Sequence, residues 1–122
     1  MVGDERTANS RLAERGGWRL VARGEIWWSD DEVLGRRPVL VLSRDAVLPA
    51  LQRPLVAPLT TRIRDLPTEV VVDVDDGLPQ PCVVSLDNVQ PLSIALLVER
   101  ITALSPERMA AVCRALGVAT SC

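Results

Sequence analysis

Residues 36–43 read Arg36-Arg37-Pro38-Val39-Leu40-Val41-Leu42-Ser43. Four consecutive apolar residues bounded by polar ones predict a short strand buried on both faces. Two guanidinium groups stand directly at its mouth. Ion pairing with a neighbouring carboxylate explains them in one way, and a phosphate-binding site in another. The surrounding chain has to choose.

Short extended runs lie on both sides of this strand. Gly24–Trp28 starts a first strand, and the acidic, glycine-containing Ser29–Gly35 reads as the turn that follows it. Arg44–Gln52 has room for a short helical turn interrupted by Pro49. Pro54–Thr60 is again apolar and extended, and its prolines point to an edge strand or to strand ends. Arg62–Pro67 is a polar loop and Thr68–Val74 a strand. Asp75–Pro81 is a turn, Cys82–Leu86 a strand that leads into Asp87-Asn88, and Leu96–Thr102 a last strand. At the end, Ser105 is placed as an N-cap and Pro106 as the first helical residue. Leu104 and Met109 are spaced for a hydrophobic staple, and Met109, Val112, Cys113 and Leu116 recur at helical spacing up to Gly117. Six or seven short strands and one terminal helix predict a small, strongly bent antiparallel sheet or barrel capped by that helix.

The 122 residues make one domain's worth of chain, divided here into a tail over 1–22 and a single domain over 23–122. With 48% apolar and 25% charged residues, the composition is that of a globular protein. No run of about 18 apolar residues suggests a membrane span, and the polar N-terminal stretch has no apolar segment of the secretory kind. Three widely spaced cysteines fit a reduced, cytoplasmic chain better than a disulfide framework. The chain has no histidine, so imidazole acid–base pairs, Ser–His triads and histidine-containing zinc sites are excluded. Three scattered cysteines do not supply the four thiolates of a structural zinc site either. No metal or cofactor is called for.

All fourteen basic residues are arginine, and the net charge is −2, unlike a simple basic nucleic-acid binder. The distribution says more than the sum. Residues 36–64 hold six arginines against Asp45 alone, while residues 65–88 hold six carboxylates and no arginine. Such a polarised surface attracts an anion locally while the whole chain stays acidic.

The ordered blocks "RGEIWW", "GRRPVLVLSRD", "VAPLTTRIRDLPTEVVVD" and "VVSLDNVQPL", closed by an amphipathic helix, resemble the MazF/PemK (Kid) toxin family over about residues 23–117. The resemblance implies a mainly β fold, the SH3-like barrel of the CcdB/MazF kind with a C-terminal helix. It also implies a homodimer that cuts single-stranded RNA at specific sequences, without a metal, and that a cognate antitoxin protein inhibits. The implied reaction is attack by the RNA's own 2′-hydroxyl, leaving a 2′,3′-cyclic phosphate and a 5′-hydroxyl. Translation and growth would be inhibited as a result. Carried over residue by residue, Arg37 matches the catalytic arginine and Thr60 a phosphate-binding threonine. Asp87 matches an acid used as a base in some members. Arg36, Ser43, Thr61, Arg62 and Arg64 are the accompanying candidates for RNA contact. Ser85 stands where some relatives carry an arginine, which speaks against an Arg–Asp acid–base pair, and the first loop is shorter and more acidic than in many members.

Each candidate has a plainer reading. Arg37 could pair with Glu25 or Asp87; Thr60 and Asp87 could satisfy backbone at strand ends. Asp73, Asp75 and Asp76 could hold a divalent cation, but form more simply an acidic turn. Of Trp27 and Trp28, which face opposite sides of a strand, one belongs in the core, and the other serves a dimer or antitoxin contact in preference to stacking on an RNA base. Cys82 and Cys113 read as small core residues, and Cys122 as a free thiol. Two rivals share the scaffold: a non-catalytic gyrase poison, disfavoured because the chain ends Ala119-Thr120-Ser121-Cys122 rather than with a tryptophan, and a protein-interaction module.

Overall fold

The structure is a computed structural model that describes residues 20–33 and 35–122. The tail expected over 1–22 therefore lies, but for its last three residues, outside the described residues; of those three, Val21 is buried. Among the described residues the elements are β1 (Glu25–Asp31), β2 (Gly35–Val41), β3 (Leu55–Thr60), β4 (Glu69–Val72), β5 (Cys82–Ser85), β6 (Gln90–Pro91), β7 (Leu97–Ala103) and α1 (Pro106–Ala119), with four short 3₁₀ turns between them. The seven strands form one antiparallel sheet in the order β4-β5-β3-β2-β1-β7, and β6 adds to β3. The expected bent antiparallel sheet with a terminal helix is what forms.

The VLVL run decides this architecture. Val39, Leu40, Val41 and Leu42 are 2%, 0%, 0% and 6% exposed. Because successive strand residues face opposite sides, the run feeds two separate cores. Leu40 and Leu42 join Ile26, Ala57, Leu59 and the inner face of α1, while Val39 and Val41 join Val21, Leu48, Val56 and Leu97. A strand buried on both faces cannot alternate apolar with polar residues, and this one does not.

Four local expectations change. Strand β1 continues through Ser29 to Asp31, where a turn was expected. Ser29 pairs with Arg37 and Asp30 with Arg36, so opposite charges face each other across the hairpin. β3 is central rather than an edge, despite Pro54 and Pro58. It reaches β2 through Val56–Pro58, β5 through Leu59–Thr60 and β6 through Leu55–Val56. Pro58 is the last residue paired with β2, so its missing N–H falls at a change of partner. Helix α1 starts as expected, with the Ser105 hydroxyl accepting from Arg108 N–H at 3.1 Å. It runs past Gly117 to Ala119, however, and ends where the Thr120 hydroxyl donates to the Leu116 carbonyl. Its buried stripe uses Val112 and Ala115, so Cys113 is exposed, with Arg23 Nη2 3.3 Å from its sulfur. Cys82 is buried and Cys122 is a free, exposed thiol.

The acidic turn after β4 is committed to structure. Asp73 and Asp76 form a reciprocal capping box, and Arg108 Nε donates to Asp76 Oδ1 at 3.0 Å. The Thr102 hydroxyl donates to the Asp76 carbonyl at 2.9 Å. Gly77 follows at φ +97°, and a Cβ there would lie 2.4 Å from Thr102 Oγ1. Only glycine fits both the conformation and the space. Burial pushes the Asp76 carboxyl up, but the hydrogen bonds from Arg108 and from the Asp73 backbone, with the arginine's charge, leave it below its ordinary value.

Candidate active site

Two prolines open the site. The β2–β3 ladder runs from Val41–Val56 to Val39–Pro58 and stops there. Pro38, the next residue of β2, has no N–H to extend it, and β3 turns to pair with β5 instead. Followed two residues beyond the last pair, the register brings Arg37 to the level of Thr60. Both lie at the mouth where the strands part.

Each is held by its backbone surroundings. The buried Ser29 hydroxyl donates to the Arg37 carbonyl at 2.9 Å, fixing the main chain from which the exposed guanidinium extends. The Thr60 hydroxyl oxygen accepts from Arg62 N–H at 3.1 Å. With that lone pair engaged, the hydroxyl proton is left to donate outward. The same bond folds the chain back, so that Thr61, Arg62 and Arg64 follow as an exposed loop. Glu69 ties the loop down: its Oε1 accepts from Arg64 N–H at 2.9 Å and from Leu66 N–H at 3.5 Å. Glu69 Oε2 is buried with no hydrogen-bond partner among the described residues.

Arg36 lies beside this mouth. Its guanidinium sits 5.0 Å from the Trp28 ring centroid and donates to Glu99 Oε1 at 3.0 Å. Trp28 lines a cavity of about 110 Å3 that also reaches Pro38, Leu59, Thr60, Thr61 and Gln80. Trp27, on the opposite face, packs against the second core and donates its indole N–H to Glu25 at 3.0 Å. Glu25 is almost fully buried, and its other oxygen accepts from Arg100 Nε at 2.8 Å.

The remaining candidates lie elsewhere. Ser43 is six residues along the chain from Arg37, roughly 20 Å at strand rise, and its hydroxyl accepts from Leu55 N–H at 2.9 Å. Asp87 belongs to the 3₁₀ turn Leu86–Asn88 beyond the end of β5. It lies four residues past Val83, the partner of Thr60, which is on the order of 10 Å away. Its Oδ2 accepts from the Thr68 hydroxyl at 2.6 Å. The basic stretch is likewise divided: Arg36 and Arg37 in β2 and Arg62 and Arg64 after β3 belong to the end where these strands part, whereas Arg44 and Arg53 follow and precede the opposite ends of β2 and β3. Reading the sequence missed Ser29, Glu69 and Gln80. A serine in a strand opposite the key arginine was the available signal for the first; nothing local marked the other two.

A model of the PemK-like, MazF-like toxins of type II toxin–antitoxin systems matches residues 22–120. A probable endoribonuclease MazF5 of Mycobacterium tuberculosis is 52% identical over 104 residues, covering 84% of this chain and 95% of the relative. Endoribonuclease MazF3 of the same species is 46% identical over 81 residues, 66% of this chain and 79% of the relative. Among solved structures, the M. tuberculosis toxin MazF-mt6 superposes with a TM-score of 0.74 at 40% identity, covering 80% of this chain and 96% of that one. A mycobacterial endoribonuclease in complex with its cognate antitoxin gives a TM-score of 0.75 at 27% identity, covering 83% and 95%.

Proposed function

Since this chain belongs to the PemK-like, MazF-like toxins of type II toxin–antitoxin systems, we propose that it is an endoribonuclease that cuts single-stranded RNA at the mouth between β2 and β3. The RNA supplies its own nucleophile. The 2′-oxygen forms a bond to the adjacent phosphorus, the bond from phosphorus to the 5′-oxygen breaks, the 2′-hydroxyl loses its proton, and the leaving 5′-oxygen gains one. The products are a 2′,3′-cyclic phosphate and a 5′-hydroxyl.

Negative charge grows on the non-bridging oxygens as the fifth bond to phosphorus forms. Arg37, a planar fork that stays protonated, binds those oxygens and neutralises the charge. The outward-directed Thr60 hydroxyl donates to a third position. The observation that supports this reading is the parting of β2 and β3 at Pro38 and Pro58, next to which Arg37 and Thr60 follow in their strands. Asp87 lies in the turn beyond β5 and accepts from the Thr68 hydroxyl, and the step is assigned to Arg37 and Thr60. Thr61, Arg62 and Arg64 hold the flanking phosphates.

The reaction is proposed to need no metal. The chain has no histidine, and among the described residues no three cysteines or carboxylates gather as a ligand set. The protein acts in the cytoplasm as a homodimer, and its antitoxin competes for the same arginine-lined mouth. Single-stranded substrate follows from the need to reach base edges that an A-form duplex hides.

The test is digestion of a long mixed-sequence single-stranded RNA in excess EDTA, beside the same sequence made as DNA. Discrete cuts in the RNA alone, with cyclic phosphate ends, are expected. An absence of cuts across a substrate covering many sequence contexts refutes the proposal.

A further inference from the structure

We propose that the cavity beside Thr60 seats one unpaired nucleobase next to the cleaved phosphate, and that Gln80 reads its edge. The inference rests on the ribonuclease reading above and adds a specificity site to it.

The cavity opens directly off Thr60 and Thr61, where the proposed chemistry puts the sugar–phosphate chain. Its lining is largely apolar, with the planar ring of Trp28 beside Pro38, Leu59, Pro79 and Ile101 of β7. Among the described residues no carboxylate or guanidinium lines it, and burial keeps the Cys82 thiol protonated by pushing its pKa up. The charges stand outside the lining: Arg37 adjoins Pro38 in the chain, Arg62 and Arg64 follow Thr61, and Arg36 stands against the Trp28 ring. A phosphate would lose solvation inside and find no cation there. A planar, uncharged base leaves its phosphate with the rim arginines and gains an aromatic wall. Such a division between a neutral pocket and a cationic rim fits a nucleotide better than an acidic peptide, whose charges would all seek the rim.

Gln80 is the one amide in the lining among the described residues. It carries an acceptor and two donors, the set that reads a base edge by paired hydrogen bonds. The turn that presents it is rigid for reasons already given. Leu78 is buried in the main core, Gly77 is pressed against Thr102, and Asp76 is bound by Arg108 and Thr102. A reading group needs that kind of support, because a loose side chain discriminates poorly.

The experiment uses full-length protein and an RNA pool randomised around the cut, with cleavage products sequenced to give the preference at each position. Gln80→Leu removes both donors and the acceptor, and Gln80→Glu replaces the donors with acceptors. Both variants should lose roughly tenfold or more of the discrimination at a single position next to the cut, and Gln80→Glu should shift its preference toward a base that presents a donor. The preference at the other positions should persist. Trp28→Leu should weaken binding of an RNA made uncleavable by one 2′-deoxy substitution by roughly tenfold. If the wild type cuts with a defined preference and both folded Gln80 variants keep it unchanged at every position, the base pocket is refuted while the ribonuclease stands. The same conclusion follows if the variants lose only affinity for an acidic antitoxin peptide. If the wild type cuts no RNA, both readings fall.

Discussion

Asp76 joins the acidic turn to the helix, and replacing it by asparagine tests that account quantitatively. Its side chain is 10% exposed; Oδ1 accepts from Arg108 Nε and Oδ2 from Asp73 N–H. Asparagine keeps one acceptor and turns the other into an amide NH2, a donor that must then face one of two donors. The cap bond to the carboxylate is worth about 1.5–3 kcal/mol. The contact with Arg108, which is 37% exposed, is screened and adds only about 0.5 kcal/mol. Loss of about 2 kcal/mol is expected, lowering Tm by about 6–10 °C in a chain of this size. The pH dependence has a definite sign. The folded carboxyl titrates below its ordinary 3.8, so its contribution is complete above the unfolded value and is lost as pH falls through the folded one. Thermal melts of both proteins between pH 7 and pH 3 should therefore show a constant gap down to about pH 5 that narrows below about pH 4. A Tm change under about 2 °C at pH 7, or a gap that widens toward pH 3, refutes the reasoning.

Gly77→Ala should cost at least about 3 kcal/mol in a urea titration, combining left-handed backbone strain with a 2.4 Å approach to Thr102 Oγ1; a loss below about 1 kcal/mol would show that the turn yields. Glu69→Ala leaves the Arg64 and Leu66 N–H groups without their acceptor, and should raise KM for RNA several-fold with little change in the single-turnover rate at saturation. Glu69→Gln, which retains the acceptor and puts an amide NH2 where the buried orphan oxygen stands, should recover most of the wild-type KM; equal defects in the two variants would contradict a positioning role. Binding of uncleavable RNA should fall with salt at a log–log slope of about −2 for contacts from Arg37, Arg62 and Arg64, and Arg64→Ala should flatten that slope by about 0.7.

Features set by local spacing were legible in the sequence. The VLVL run announced a strand buried on both sides, and Ser105-Pro106 announced the helix start, because an N-cap and a two-sided strand are written in adjacent residues. Features set by partners were not. Pro58 reads as an edge signal until β3 is seen to exchange β2 for β5 at that residue, and Gly117 reads as a helix stop until Val118 and Ala119 are seen to continue the helix. Cys113 keeps helical spacing but faces outward, since Ala115 rather than Cys113 meets the sheet. At the site, Arg37 and Thr60 were named from the resemblance, and the strand register extended beyond Val39–Pro58 brings them to one level. Gln80 lies in a turn whose position depends on Thr102 and Arg108, distant in sequence, so no local pattern could mark it. Ser43 and Asp87 sit in matching motifs, yet strand length carries them away from the mouth.

The central claim is that the opening between β2 and β3 binds the phosphate being cleaved. Its most direct test is the single-turnover cleavage rate of Arg37→Ala on a defined RNA, measured with its melting temperature and with Thr60→Val and Thr60→Ser alongside. The account predicts a fall of at least about 100-fold for Arg37→Ala with Tm within about 2 °C of wild type, a smaller loss for Thr60→Val, and recovery in Thr60→Ser. A folded Arg37→Ala protein that cuts at the wild-type rate, or one that fails to fold, would contradict it.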